Sequence, residues 1–203
     1  MDQLTLFDTA TATAPEPVLA QESRETTSAR EALHSSQSVE WYTPAEYLQA
    51  VRQVLGGIDL DPASCELANR AVRAERYYDI TTDGLSRSWP GRVFLNPPYG
   101  KTEDGQSNQA LWSGRLIEQY TAGITSEAIL LVNAATGDLW FQSLWQGLPA
   151  SSPICFTRRI KFYTPEGQPS QPTHGNAFIY LGRRPERFAR AFSTFGIIAA
   201  RAA

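Results

Sequence analysis

The sequence predicts an α/β fold: a mostly parallel sheet with helices on both faces. Short runs with strand character at 58–61, 92–96, 128–133, 154–157 and 177–181 alternate with stretches of helical apolar spacing at 44–55, 106–120 and 185–195. The run 128–133, Ala-Ile-Leu-Leu-Val-Asn, is continuously apolar until its last residue, as a strand covered on both faces must be. Apolar residues make up 42% of the 203-residue chain, enough for one sizeable core and not for several.

Each element has a local cause. Thr43-Pro44-Ala45-Glu46 reads as a capping box with proline at the first helical position. Tyr47, Leu48, Val51, Val54 and Leu55 follow at helical spacing, and Gly56-Gly57 ends the helix. A strand at 58–61 leads into Pro62, and Ser64 is the expected N-cap of a helix over 64–73. The strand 92–96 runs into Pro97-Pro98-Tyr99. Leu111, Trp112, Leu116 and Ile117 form the stripe of the helix 106–120. A short aromatic helix is expected at 138–145, and Ile197-Ile198 is a candidate last strand.

Residues 1–38 differ in composition. Beyond residue 8 this stretch is Thr, Ala, Ser, Glu and Gln with almost no large apolar side chain, so it is expected to be a disordered tail preceding a folded domain at 39–203. Gln3-Leu4-Thr5-Leu6-Phe7 is the exception. Such a cluster is either a strand docking on its own domain or a linear motif for a partner. It resembles the sliding-clamp-binding motif of bacterial DNA-processing proteins, Q-L-x-L-F, through Gln3, Leu4, Leu6 and Phe7. The net charge of −3 divides unevenly: residues 1–38 carry −4, and the stretch from Arg158 onward carries eight bases against two acids. Sixteen of the 18 bases are Arg, the side chain suited to bidentate phosphate contacts.

Several classes are disfavoured. No apolar run approaches the ~18 residues of a membrane span. Two cysteines, Cys65 and Cys155, are too few for a disulfide framework. No signal-peptide pattern opens the chain, so a cytoplasmic protein is expected. The dinucleotide pattern GxGxxG and the P-loop pattern GxxxxGK[ST] are absent, against a nicotinamide or flavin oxidoreductase and a P-loop nucleotidase. His34 and His174 form no ligand cluster, and no metal is expected.

Ligands of open α/β sheets bind outside the carboxyl ends of the strands, and two strand ends are chemically distinctive. Asp59-Leu60-Asp61-Pro62-Ala63-Ser64 places two acids beside a helix start, suited to hydroxyl, amino or ammonium groups or merely to capping. Asn96-Pro97-Pro98-Tyr99 offers a side-chain acceptor, carbonyl acceptors and an aromatic face in one stiff turn, because two prolines fix φ and remove two N–H donors. A planar exocyclic amine needs that set: its N–H groups donate to the Asn96 oxygen and the Pro97 carbonyl while Tyr99 stacks on the ring.

Asn96-Pro97-Pro98-Tyr99 matches the amino-methyltransferase motif [DNS]-P-P-[YFW]. With Glu40-Trp41-Tyr42-Thr43-Pro44, the Asp59–Ser64 segment, Asp83-Gly84-Leu85, Arg159-Ile160-Lys161-Phe162 and the late strand 176–181, the chain resembles the phage-type DNA N6-adenine methyltransferases from about 39 to 182. The resemblance implies a single Rossmann-like domain that uses S-adenosylmethionine; a monomer is expected. It implies that Trp41, Tyr42, Thr43 and Pro44 pack over the methionine end of the cofactor. Asp59, Asp61, Pro62, Ala63 and Ser64 would line it, Asp83 would accept from its adenine amine, and Asn96, Pro97, Pro98 and Tyr99 would hold the target base. A glycine-rich turn after the first strand is missing. Glu75 and Asp79 are both candidates for the ribose-binding acid. The base must leave the duplex, and Lys101, Arg158, Arg159, Lys161, Phe162 and His174 are candidates for the DNA face, with core packing the alternative for Phe162. Arg183, Arg184, Arg187 and Arg190 read as a solvated helix face. Cytosine N4, an RNA base or a glutamine amide would suit the same pocket, and a non-catalytic, clamp-tethered DNA-binding accessory is a further reading. No recognition domain of ~100 residues fits beside the catalytic one, so sequence recognition is expected from loops.

Overall fold

A computed structural model describes residues 42–164, 166–171 and 173–200. The tail 1–38 with its Gln3–Phe7 motif, and Trp41, lie outside the described residues.

Along the chain run α1 (Ala45–Leu55), β1 (Leu60–Asp61), α2 (Glu66–Val72), β2 (Arg76–Tyr77), a 3-10 turn (Gly84–Ser86), β3 (Gly91–Leu95), α3 (Asn108–Thr121), β4 (Thr125–Asn133), α4 (Leu139–Gly147), β5 (Pro153–Thr157), β6 (Asn176–Leu181), α5 (Pro185–Phe192) and β7 (Gly196–Ala200). The strands form one seven-stranded sheet in the order β2-β1-β3-β4-β6-β5-β7. β4 shows why both faces are covered. Alternate side chains leave a strand on opposite sides: Ile129 and Leu131 join one core with Leu48, Val51 and Phe188 of α1 and α5, while Ala128, Leu130 and Val132 join the other with Trp112, Leu116 and Phe141 of α3 and α4. None of these five β4 residues retains any exposed surface.

The expected α/β architecture is present, but the sheet is mixed rather than mostly parallel. β2, β1, β3 and β4 pair in parallel, whereas β4–β6, β6–β5 and β5–β7 are antiparallel. The physical reason lies in residues 158–175. A parallel neighbour requires a crossover, usually a helix; the described part of this segment has none, so β6 returns antiparallel and inserts between β4 and β5.

Two expected caps differ. Pro44 rather than Thr43 precedes α1, with no side-chain cap, and Thr43 turns inward. At α2 the cap is Cys65, whose Sγ accepts from Ala68 N, and not Ser64. Gly56 closes α1 as expected: at φ 78° it sends its N–H back to the Arg52 carbonyl at 2.8 Å.

This topology gathers the chemistry. The chain leaves β1 for β2 on one side and then crosses back to β3 on the other, so strand order reverses between β1 and β3. The carboxyl ends of β1, β2, β3, β4 and β5 and the amino end of β6 all lie along one edge of the sheet.

Candidate active site

Asp61 ends β1 with only 3% of its surface exposed. The Ala63 N–H donates to Oδ1 at 3.2 Å. Burial nevertheless pushes this carboxyl up to about 7, against the lowering pull of the Ala63 N–H and the Ser64 hydroxyl. A carboxylate kept this dry at a reversal of strand order is suited to a ligand bearing positive charge.

Gly84 brings a second acid to the same place. A Cβ on Gly84 would stand 2.0 Å from the Pro62 carbonyl oxygen, so only glycine lets the 3-10 turn lie against the exit of β1. The Trp89 indole fixes the turn by donating to the Gly84 carbonyl at 2.7 Å. Asp83, at φ 47°, is thereby left exposed at the rim, with no hydrogen bond from its side chain to the turn it precedes. Gly84→Ala is expected to destabilise the fold by about 1–3 kcal/mol through overpacking, read as a lower urea unfolding midpoint.

At the end of β3, Asn96 Nδ2 donates to the Thr43 hydroxyl at 3.4 Å, which turns the amide oxygen away from Thr43. The turn is braced from α3: Asn108 Nδ2 donates to the Tyr99 carbonyl at 3.3 Å and Asn108 N to the Gly100 carbonyl at 3.1 Å. The Tyr99 ring meets the Phe162 ring edge-on, centroids 6.1 Å apart and 69° between planes. Its hydroxyl is buried with no partner among the described residues, and burial raises its pKa well above the usual phenol range. Tyr99, Phe162, Asn133, Gln171, His174 and Asn176 line a small open pocket of about 110 Å³.

Two distant segments arch over this edge and are stitched together. Tyr42 N donates to the Tyr163 carbonyl at 2.8 Å, and Tyr163 N to the Tyr42 carbonyl at 3.1 Å. Within the second segment, Ser170 N donates to the Phe162 carbonyl at 2.7 Å and Phe162 N to the Ser170 hydroxyl at 3.0 Å. The Tyr42 hydroxyl lies 3.7 Å from Cys65 Sγ. Tyr42 and Thr43 therefore span from the start of α2 to the end of β3, roofing the space outside β1.

The structure brings together most of the residues expected from the sequence, with exceptions. Asp59 is not at the cleft: it lies at the start of β1, where its carboxylate takes Arg92 Nε at 3.0 Å on both oxygens, the Arg92 backbone N–H at 2.7 Å and an ion pair with the guanidinium. Those bonds hold it well below the usual carboxylate range. Phe162 is buried at 7% exposure, so it walls the pocket instead of facing DNA from outside. Arg184 is not simply solvated, since it pairs with the nearly buried Glu127, which also accepts from the Tyr180 hydroxyl. Lys101, Arg158, Arg159 and Lys161 are exposed and join no ion pair among the described residues. His174 is exposed, 2.8 Å from the Thr173 hydroxyl. Asp79 lies at the carboxyl end of β2, its Oδ1 taking the N–H and hydroxyl groups of Thr81 and Thr82, whereas Glu75 sits at the opposite end. Asn133 and Asn176 escaped the sequence reading. For Asn133 the signal was present: β3 and β4 both have an apolar run followed by Asn at their carboxyl end.

A doubly covered sheet with a buried acid and an amine-accepting Asn-Pro-Pro-Tyr turn at its switch point defines an amino-methyltransferase class of protein. The chain matches the family described as DNA N-6-adenine-methyltransferase (Dam) over residues 31–190, and it belongs to that family. It is therefore an adenine-specific DNA methyltransferase, and the family implies use of S-adenosylmethionine. No curated protein matches the chain. Among the described residues no helix is long and apolar enough to cross a membrane.

Proposed function

We propose that this edge of the sheet works as two joined compartments, one for S-adenosylmethionine and one for a flipped adenine. The observation that carries the assignment is the meeting of buried Asp61 and the Asn96–Tyr99 turn at the β1/β3 switch point. In this reading Tyr42, Thr43 and Pro44 cover the cofactor, and Asp61, Pro62, Ala63 and Ser64 hold its charged end. Asp83 takes its adenine amine. Asp79 takes the ribose hydroxyls in preference to Glu75, because Asp79 is on the correct edge. The fit rests on Asp61, whose dry carboxylate suits a cationic ligand. When bound, the cofactor supplies an electrophilic methyl on a sulfonium.

The protein's own residues supply the rest. The N6 lone pair is delocalised into the adenine ring and nucleophilically weak. Asn96 Oδ1 and the Pro97 carbonyl accept its two N–H groups, returning electron density to nitrogen. These bonds strengthen as positive charge develops, so they act chiefly in the transition state. Pro97 and Pro98 keep the acceptors from reorganising, Tyr99 stacks on the ring, and Phe162 fixes the Tyr99 plane. Lys101, Arg158, Arg159, Lys161 and His174 meet the DNA backbone around the extruded base. Gln3, Leu4, Leu6 and Phe7 tether the enzyme to a sliding clamp. Clamp pull-down by the full chain, lost in the Leu6→Ala/Phe7→Ala protein, is the result expected of that tether; equal capture would refute it.

Expression in cells lacking adenine methylation, followed by single-molecule sequencing of their DNA, tests the site. N6-methyladenine should appear with the natural chain and vanish with Asn96→Ala. Persistence of the modification in that variant would remove Asn96 from the reaction.

A further inference from the structure

The pocket beside Tyr99 contains a chain of carboxamides whose orientation is fixed from one end. Ile160 N–H donates to Asn176 Oδ1 at 3.3 Å. A backbone N–H can only donate, so the Asn176 oxygen must face it. The other end of that amide, Nδ2, then donates to Asn133 Oδ1, again at 3.3 Å. Asn133 is thereby left with its Nδ2 as its side-chain donor, and no acceptor among the described residues takes it. Its backbone is also held, with Asn133 N donating to Gln109 Oε1 at 2.7 Å. Asn176 is buried at 2% exposure, whereas Asn133 is half-buried and lines the pocket. The relay therefore leaves a donor at the wall of a pocket whose neighbouring turn supplies acceptors.

The geometry points to Asn133 as a base-reading residue: its Nδ2 donates to a ring nitrogen flanking the target amine, and Asn176 is the positioning residue that fixes its orientation. Adenine carries such acceptors on both sides of N6, at N1 and N7. The exocyclic amine would thus meet acceptors at Asn96 and Pro97 while the ring meets a donor at Asn133. A hydrogen bond to a ring nitrogen draws density out of the ring, so this contact selects and orients the base and does not activate it. The inference rests on the proposed placement of adenine beside Tyr99.

Asn133→Asp is the sharp variant, because the carboxylate still accepts from Asn176 Nδ2 but offers no donor to the base. Oligonucleotides carrying adenine, 1-deazaadenine or 7-deazaadenine at a mapped target position provide the probes. With the natural chain, one analogue should fall about tenfold in kcat/KM beyond the other, about the worth of one neutral hydrogen bond. Asn133→Asp and Asn133→Ala should lose about tenfold on adenine and discriminate no further against that same analogue, with cofactor affinity unchanged. Wild-type kcat/KM in Asn133→Asp, or equal discrimination by natural and variant proteins, overturns the inference. Asn96→Ala run in parallel separates the two levels. If it is inactive while Asn133→Asp is normal, only the reading role falls. If it remains active, the adenine placement falls as well.

Discussion

Replacing Asn96 by Ala is expected to leave cofactor binding intact and to slow methyl transfer by about 100- to 1,000-fold, the scale on which a single preorganised transition-state partner acts. The loss should appear in kcat more than in KM, since the contact strengthens as charge develops on nitrogen. Asn96 Nδ2 donates to the Thr43 hydroxyl, and Thr43 is itself buried beneath the Tyr42 arch. Thr43→Val is therefore expected to give a milder version of the same defect, because Asn96 remains but loses its bond to the Thr43 hydroxyl. Single-turnover assays with labelled methyl donor would show both. A kcat for Asn96→Ala within a fewfold of the natural enzyme would contradict the assigned role.

The second large effect concerns Asp61. Burial raises this carboxyl to about 7, above its value in the unfolded chain. Between the ordinary carboxylate range and about pH 7 the folded state binds more protons than the unfolded one, so ligand-free stability should fall as pH rises through that window. Asp61→Asn, neutral at every pH, should remove the fall and be the more stable protein at pH 8. The same substitution should weaken cofactor binding by about 10- to 100-fold, as expected for losing one charge-assisted hydrogen bond. The thermal stabilisation given by S-adenosylmethionine should grow from pH 5.5 to pH 8 in the natural chain, as Asp61 ionises, and stay flat in Asp61→Asn. Parallel pH profiles in the two proteins would remove Asp61 from the cofactor compartment.

Much of this arrangement was readable from local pattern. The Asn96–Tyr99 turn, the helix stop at Gly56 and the continuously apolar β4 all follow from residue type and spacing, because each depends on neighbours along the chain. Strand direction does not. β6 and β5 have the composition of buried strands whichever way they run, and their antiparallel pairing was marked only by the lack of a helix among the described residues of 158–175. Asp59 and Asp61 look alike in sequence, and only register separates them: one faces Arg92 at the amino end of the sheet, the other the cleft. The same holds for Glu75 and Asp79, four residues apart across a two-residue strand. Arg184 looked like one more surface base, since Glu127, its partner 57 positions away, has no local signature. Asn176 required the fold outright: its meaning comes from Ile160 and Asn133, which are brought to it by the insertion of β6.

The paired backbone bonds between Tyr42 and Tyr163 join segments 121 positions apart. One flank reaches Cys65 and Asn96 through Tyr42 and Thr43, and the other reaches Tyr99 through Phe162. This small seam ties the segment proposed to cover the cofactor to the segment that walls the pocket beside Tyr99. In hydrogen-exchange terms, the amides of Tyr42 and Tyr163 should open together, and either substrate bound alone should slow both, so that occupancy of one compartment is felt in the other before any chemistry occurs.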